Sequence, residues 1–168
     1  MRSSVISGFT IRNGAPGIGV GAAFPSILNN ILTNNICDGI FVSFGAALIQ
    51  SNEISATINF NPTSHYWDYC VGSGLGINLA GTPNSSPAGG NSIIGNIIEN
   101  NANGAIAIDA AQNTVIQSKV LRNNPGTGGL EAFNIIAISF IDNLVYDNSS
   151  TSYGLAAAAS ASLHVVQP

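Results

Sequence analysis

The sequence predicts an all-β fold, a parallel β-solenoid of about six repeats. Three observations lead to this prediction: a nine-residue unit that recurs along the chain, a Gly-aliphatic pair after each copy, and a polar surface that is not built from charge. Only 7% of the 168 residues are charged, whereas 21 are asparagine. With four basic residues and a net charge of -4, no basic surface is expected for nucleic acid or for an anionic membrane.

The nine-residue unit has apolar residues at its first and sixth positions in every copy and Asn at its fourth position in most. We number the copies as repeats 1 to 6: ISGFTIRNG (6–14), ILNNILTNN (27–35), IQSNEISAT (49–57), IIGNIIENN (93–101), IQSKVLRNN (116–124) and FIDNLVYDN (140–148). The fourth and sixth positions share a face in a strand, and a helical period would not keep these columns aligned. Because β-branched residues dominate, the unit is read as short strands.

The copies start 21, 22, 44, 23 and 24 residues apart, so each repeat is long enough for one coil of a solenoid. The Gly-aliphatic pairs that follow the copies are Gly17-Ile18, Gly39-Ile40, Gly76-Ile77, Gly104-Ala105, Gly129-Leu130 and Gly154-Leu155. The spacing of 44 reflects insertions in repeat 3, namely a long loop at 58–73 and a Pro/Gly/Ser-rich loop at 81–91. The whole chain, 1–168, is therefore predicted to be a single domain.

The segments Asn30-Ile31-Leu32-Thr33-Asn34-Asn35 and Gly39-Ile40-Phe41-Val42, and their counterparts in repeat 4, resemble the coils of the pectin-lyase-like superfamily. The resemblance implies a right-handed parallel β-helix of about six coils, and a departure from the family pattern at the ends of the sequence suggests a segment of a longer helix. It also implies a secreted protein that acts on or binds polysaccharide, as a lyase or a glycoside hydrolase. The alternative within the same superfamily is a non-catalytic structural, adhesin or spike-type binding module.

Members of this superfamily usually cover the ends of the helix, and this chain shows no such segment in its sequence. The expected partners are therefore a polysaccharide or glycan and, to cover the ends, either further copies in a homo-oligomer or flanking coils. Asn-rich, Lys-poor composition with two cysteines favours an extracellular or cell-surface location. No cofactor is evident from the residues, no metal-ligand spacing is present, and calcium is implied by the resemblance alone.

The loop at 58–73 is the first candidate site, because it holds the only Trp and two of the four Tyr residues. Aromatic rings stack on the apolar faces of sugars, and loops on a rigid scaffold often carry binding residues. The predicted binding residues are His65, Tyr66, Trp67, Asp68 and Tyr69. The alternative is that these aromatic rings pack onto the solenoid as a small satellite core.

Cys37 and Cys70 both precede the Gly-aliphatic pair, in repeats 2 and 3, so the solenoid would bring them close together. A disulfide that fixes the long loop and a pair of buried thiols are both compatible with this position. A nucleophilic pair of Cys70 with His65 is the third alternative.

Charged residues gather in repeats 4 to 6. Uronic-acid lyases need a cation beside the substrate carboxylate and a base, whereas hydrolases need clustered acids. The candidate catalytic residues are Lys119, Arg122, Glu99 and Asp142. The alternative is a salt bridge between Glu99 and Arg122 on neighbouring repeats, surrounded by solvated charges.

The fifth position of the unit is apolar in several repeats although it should face outward. It holds Ile31, Ile97, Val120 and Leu144. This column is expected either to lie beneath a loop such as 58–73 or to form an exposed strip that packs against a partner.

Overall fold

The computed structural model is built from strands that are each three to six residues long. It describes residues 4–58, 74–80, 90–109, 114–117, 120–122, 130–133, 138–141, 155–157 and 163–166. The strands in chain order are β1 (Val5–Ser7), β2 (Thr10–Arg12), β3 (Ile18–Gly21), β4 (Ser26–Leu28), β5 (Ile31–Thr33), β6 (Asp38–Ser43), β7 (Leu48–Gln50), β8 (Glu53–Ser55), β9 (Leu75–Ala80), β10 (Ser92–Ile94), β11 (Ile97–Glu99), β12 (Gly104–Asp109), β13 (Thr114–Gln117), β14 (Val120–Arg122), β15 (Leu130–Phe133), β16 (Ile138–Ile141), β17 (Leu155–Ala157) and β18 (Leu163–Val166). No helix occurs in these ranges.

The strands form three parallel sheets, and each strand pairs with its counterpart in the next repeat. Sheet A has the order β1-β4-β7-β10-β13-β16-β18, sheet B the order β2-β5-β8-β11-β14, and sheet C the order β3-β6-β9-β12-β15-β17. One repeat therefore contributes a strand to each sheet in turn, as in β4, β5 and β6. This all-β, parallel arrangement confirms the predicted fold class at that level and is compatible with a β-helical solenoid.

The register of the sheets confirms the columns of the nine-residue unit. In sheet A, each first-position residue pairs with the next along a single column. The residues of that column are Ile6, Ile27, Ile49, Ile93, Ile116 and Phe140. In sheet B, the sixth-position column is Ile11, Leu32, Ile54, Ile98 and Leu121.

Among the described side chains, the core contains the first-position residues from Ile27 to Ile116 and the sixth-position residues from Leu32 to Ile98, together with Ile40, Ile77 and Ile106 from sheet C. From Ile27 to Ile116, the first-position side chains are fully buried, while Ile6 in repeat 1 is only partly buried. Burial of a side chain of this size stabilises the fold by about 1.5–3 kcal/mol. Repetition of the columns therefore gives each repeat its own share of the core.

Tight turns follow the strands of sheets A and B, and they explain why the unit needs Asn and Gly. The third position of the unit has a positive φ at Gly8, Asn29, Ser51 and Gly95, and the eighth at Asn13, Asn34, Ala56 and Asn100. Left-handed backbone is least costly for Gly and Asn, which occupy six of these eight positions. In repeats 2 to 4 the residue after each turn is buried, as at Asn30 and Asn35, whereas Phe9 after the first turn of repeat 1 is exposed.

The pair Gly104-Ala105 is one residue out of register with the Gly-aliphatic pair of repeat 3. Ile106 pairs with Ile77, and Gly104 pairs with Leu75, so the pair Gly104-Ala105 is not the counterpart of Gly76-Ile77. The observed register keeps a large side chain in the aliphatic column, which determines the register wherever one face of a sheet is buried. Ala105, rather than a glycine, then occupies the position of Gly76.

Candidate functional site

A ladder of buried asparagine side chains runs parallel to the core between sheets A and B. Asn52 Oδ1 accepts hydrogen bonds from Asn30 N at 2.9 Å and from Asn30 Nδ2 at 3.0 Å, and Asn96 Oδ1 accepts the same pair from Asn52 at 2.9 and 3.0 Å. Asn52 Nδ2 also donates to the carbonyl of Ile27 at 2.9 Å. Each amide thus bonds to the repeats on both sides, which satisfies polar groups that would otherwise be buried without partners.

A second ladder follows the eighth-position turn and is interrupted in repeat 3. Asn35 Oδ1 accepts from Gly14 N at 3.1 Å, and Asn101 Oδ1 accepts from Thr57 N at 3.1 Å. Thr57 occupies the place of asparagine between them, and its Oγ1 is buried with no hydrogen-bond partner in the described part of the chain. Both ladders are scaffold, because their amides are committed to neighbouring repeats.

An open groove of about 320 Å³ lies outside the first ladder and crosses repeats 2, 3 and 4. We call it the turn groove. It is lined by Asn29, Asn30, Ile31, Ser51, Asn52, Glu53, Gly95 and Ile97. The repeat pattern alone does not predict this groove, although the apolar, outward-facing fifth-position column forms one of its walls.

One wall of the turn groove has a charged residue between two aliphatic residues. Ile31, Glu53 and Ile97 are successive partners in sheet B. Ile31 is 44% exposed, Glu53 is exposed and Ile97 is half-buried. The fifth-position column is therefore solvent-accessible at Ile31 and is interrupted by a carboxylate in repeat 3.

The remaining exposed polar side chains of the groove come from the left-handed turn. Asn29 and Ser51 both have positive φ and are exposed, while Asn30 and Asn52 on the floor are buried in the ladder. A short turn held by the ladder below it is a rigid support for such groups. The groove thus presents an amide, a hydroxyl and a carboxylate between two isoleucines.

Asp38 carries a buried carboxyl group and was not among the site residues predicted from the sequence. Only 4% of the residue is exposed, and burial raises the pKa of its carboxyl from 3.8 to about 6. The Asn78 amide donates to Asp38 Oδ2 at 3.1 Å, which partly opposes this rise because it favours the charged form. In the sequence, Asp38 is distinguished as the only charged residue between positions 26 and 42.

The base of the long loop is fixed beside Cys37. Ile36 and Ile58 form a parallel bridge, Cys37 N donates to the carbonyl of Ile58 at 3.1 Å, and Gly74 N donates to the carbonyl of Cys37. Both ends of the insertion therefore meet repeat 2 at one place. The predicted binding residues lie outside the described part of the chain and stay predictions: His65, Tyr66, Trp67, Asp68 and Tyr69.

Cys37 is buried and disulfide-bonded. The sequence contains one other cysteine, Cys70, which lies outside the described residues. Its pairing with Cys37 therefore stays a prediction, in accord with the anchoring of the loop ends at Cys37.

Of the four candidate catalytic residues, two occupy described strands. Glu99 in β11 and Arg122 in β14 are partners in the register of sheet B. Lys119 and Asp142 lie outside the described residues. The backbone thus places one carboxylate and one cation on neighbouring strands, a relation common to the catalytic and the salt-bridge interpretations.

Comparison with protein-family models, with curated proteins and with solved structures finds no match to this chain. Among the described residues, no helix is long and apolar enough to cross a membrane. In the same ranges, no three His, Cys, Asp or Glu residues are grouped in a way that could hold a metal ion.

Proposed function

We propose that this chain is a polysaccharide-binding module built as a right-handed parallel β-helix of about six coils, similar to members of the pectin-lyase-like superfamily. The observation that supports this function is the turn groove, which is open and continuous over three repeats. Its ligand would be a glycan that runs along the axis of the solenoid.

The chemistry of the groove suits a sugar polymer. Sugar hydroxyl groups donate hydrogen bonds to carboxylate and amide oxygens such as those of Glu53 and Asn29, and the hydroxyl of Ser51 both donates and accepts. The C–H faces of sugar rings pack on aliphatic side chains such as Ile31 and Ile97. Neighbouring strands of a sheet lie about 4.8 Å apart, so an extended glycan would meet a new row of side chains at every repeat.

The long loop is the second place proposed for a glycan on this chain. Its ends lie beside Cys37, at the far end of β8 from Glu53. Trp67 and its neighbours would supply aromatic stacking to a glycan bound at the loop. The disulfide at Cys37 accords with an exported protein, because disulfides persist mainly in oxidising compartments.

Bond cleavage is the alternative activity, with Lys119, Arg122, Glu99 and Asp142 as the candidate residues. The register partnership of Glu99 with Arg122 is compatible with it and equally with a salt bridge. Any cleavage would be detected by analysing the products of the binding assay below.

The test is a binding screen of the full chain against soluble neutral and acidic polysaccharides, by isothermal titration calorimetry and affinity electrophoresis. The groove variant combines Ile31→Ala with Ser51→Gly, two exposed positions whose replacements suit their backbone. We expect it to bind about tenfold more weakly, since loss of one hydrogen bond and one aliphatic contact amounts to about 1.4 kcal/mol. Val5→Ala, which also truncates an exposed aliphatic residue but outside the groove, should bind like wild type.

Two results would contradict the proposal. Absence of binding to every polysaccharide would remove the function itself. Binding that is lost in Trp67→Ala but unchanged in the groove variant would keep the function and transfer it to the loop.

A further inference from the structure

The turn groove carries one charged side chain, and its position has a consequence for which polysaccharide can bind. Among the residues that line the groove, Glu53 is the only one with a formal charge. It lies in the middle repeat, with Ile31 as its register partner on one side and Ile97 on the other. A ligand that spans the groove must therefore pass over this carboxylate.

Among the described residues that line the groove, none carries a charge that compensates Glu53. The other exposed polar groups there, those of Asn29 and Ser51, are neutral, and the amides of Asn30 and Asn52 are bonded to neighbouring repeats. Arg12, which begins the next outward column of sheet B, belongs to repeat 1 and does not line the groove. The protein as a whole has a net charge of -4.

Such a site discriminates by charge. A neutral sugar can donate its hydroxyl groups to the Glu53 carboxylate, whereas the carboxylate of a uronic acid would be repelled by it. Juxtaposed like charges at an interface are a common means of excluding a wrong partner. The flanking isoleucines add apolar contact for either sugar and therefore do not distinguish between them.

We propose that Glu53 makes the turn groove selective for neutral polysaccharides and against polyuronates. This inference rests on the proposed function, and it names the substrate class of the same groove. It also differs from the uronate chemistry considered for the charged residues of repeats 4 to 6, which would need a cation at the substrate carboxylate.

The experiment compares matched ligands that differ only in the oxidation of each sugar. The probes are β-linked gluco- and manno-hexasaccharides and their uronic acid counterparts, titrated at low salt into wild type, Glu53→Gln and Glu53→Lys. For wild type we expect at least about tenfold tighter binding of the neutral ligand. Glu53→Gln should reduce that ratio toward one, and Glu53→Lys should invert it.

Glu131→Gln is the matched control, because it removes the same charge from strand β15 of sheet C, outside the groove. It should keep the wild-type ratio, and added salt should lower the ratio in wild type because salt screens exposed charges. Circular dichroism would show that all variants remain folded.

The outcomes separate the two proposals. Wild type that binds neutral and uronic hexasaccharides equally, or Glu53→Lys that gains no uronate binding, overturns the selectivity while the groove keeps its function. Failure of every variant to bind any hexasaccharide overturns both.

Discussion

At the scale of single residues, asparagine is the main buried polar residue: it accounts for six of the eight buried polar or charged residues in the described part of the chain. Asparagine suits a ladder because one short side chain both donates and accepts, so identical residues can bond to each other from repeat to repeat. Aspartate in its charged form can only accept, and threonine is too short to span the same gap. Asn52, with partners on both sides, is the best-connected example.

Asn52→Ala should lower the free energy of unfolding by about 3 kcal/mol or more. The substitution removes the acceptor of Asn30 N and Asn30 Nδ2, and one donor each to Asn96 Oδ1 and the carbonyl of Ile27; each lost hydrogen bond costs about 0.5–1.5 kcal/mol. Urea denaturation followed by circular dichroism measures the loss. Gln50→Ala, which removes an exposed amide two residues away, should change stability by no more than about 0.5 kcal/mol. Equal effects of the two substitutions would argue against the ladder.

Thr57→Asn is expected to stabilise the protein. Asparagine at this position would restore the second ladder between Asn35 and Asn101 and would replace a buried hydroxyl that has no partner in the described structure. The gain should be about 1 kcal/mol, the usual net value of a hydrogen bond. Thr57→Val, which removes the hydroxyl without adding an amide, separates relief of the unpaired oxygen from formation of new bonds. A Thr57→Asn protein that is less stable than Thr57→Val would contradict the completed ladder.

Asp38 should make stability depend on pH. Its folded-state pKa of about 6 is above the ordinary 3.8, so the folded protein binds more protons than the unfolded chain between these values. Stability is then greatest below pH 4 and falls as the pH rises toward 6, by about 3 kcal/mol in all for this group. Asp38→Asn should match wild type near pH 3.5 and be more stable by about that amount at pH 7.5. Unfolding curves over this range would contradict the account if the two proteins kept a constant difference.

At the scale of strands and turns, the approach of sheet C to the core is set by a column of residues without bulky side chains. A Cβ atom on Gly39 would lie 2.6 Å from the carbonyl oxygen of Gly76, and one on Gly17 would lie 2.7 Å from the carbonyl oxygen of Gly39. These are backbone atoms that cannot rotate away. The glycines therefore allow successive repeats to stack where the chain enters β3, β6 and β9.

Gly39→Ala should destabilise the protein by about 3 kcal/mol, the upper range for forcing an extra group into a packed site. Gly21→Ala is the control, because a Cβ at that position meets nothing within 4 Å. It should leave the thermal midpoint nearly unchanged. If both substitutions had the same small effect, close stacking of the repeats at Gly39 would be wrong.

Most strands could be predicted from the sequence because the recurring apolar positions show which residues of neighbouring repeats pair with each other. Ile27, Leu32 and Ile40 stand in columns that recur in other repeats, and burial of one face of a strand permits a single register. The Gly104 pair was misplaced because Ala105 is also small, so that the column there is ambiguous without the neighbouring strand. Strand β18 was missed because Val165 continues the first column without the Asn and Gly that mark other repeats.

The site was less predictable than the elements. The turn groove is formed by side chains from three repeats whose starts are 22 and 44 residues apart. The sequence pattern identified only the apolar fifth position on its wall. Asp38 was visible as an isolated charge, but its burial depends on how β6 meets β9. The aromatic loop stays a prediction from composition.

At the scale of the whole molecule, parallel stacking turns a short motif into an extended surface. Repeats 2, 3 and 4 each contribute one row to the core, one amide to the first ladder and one row to the groove, so residues distant in sequence become neighbours along the axis. A ligand that lies along this axis would therefore contact segments that are 22 and 44 residues apart in the sequence. The parallel stack thus joins the fold to the proposed function.

The most direct test is an NMR titration of the isotope-labelled protein with the neutral hexasaccharide that binds best in the screen. We expect the largest amide shifts in three separate segments, 29–31, 51–53 and 95–97, which line the groove in repeats 2, 3 and 4. Shifts confined to 59–73, shifts in one repeat alone, or no shifts with any neutral hexasaccharide would contradict it.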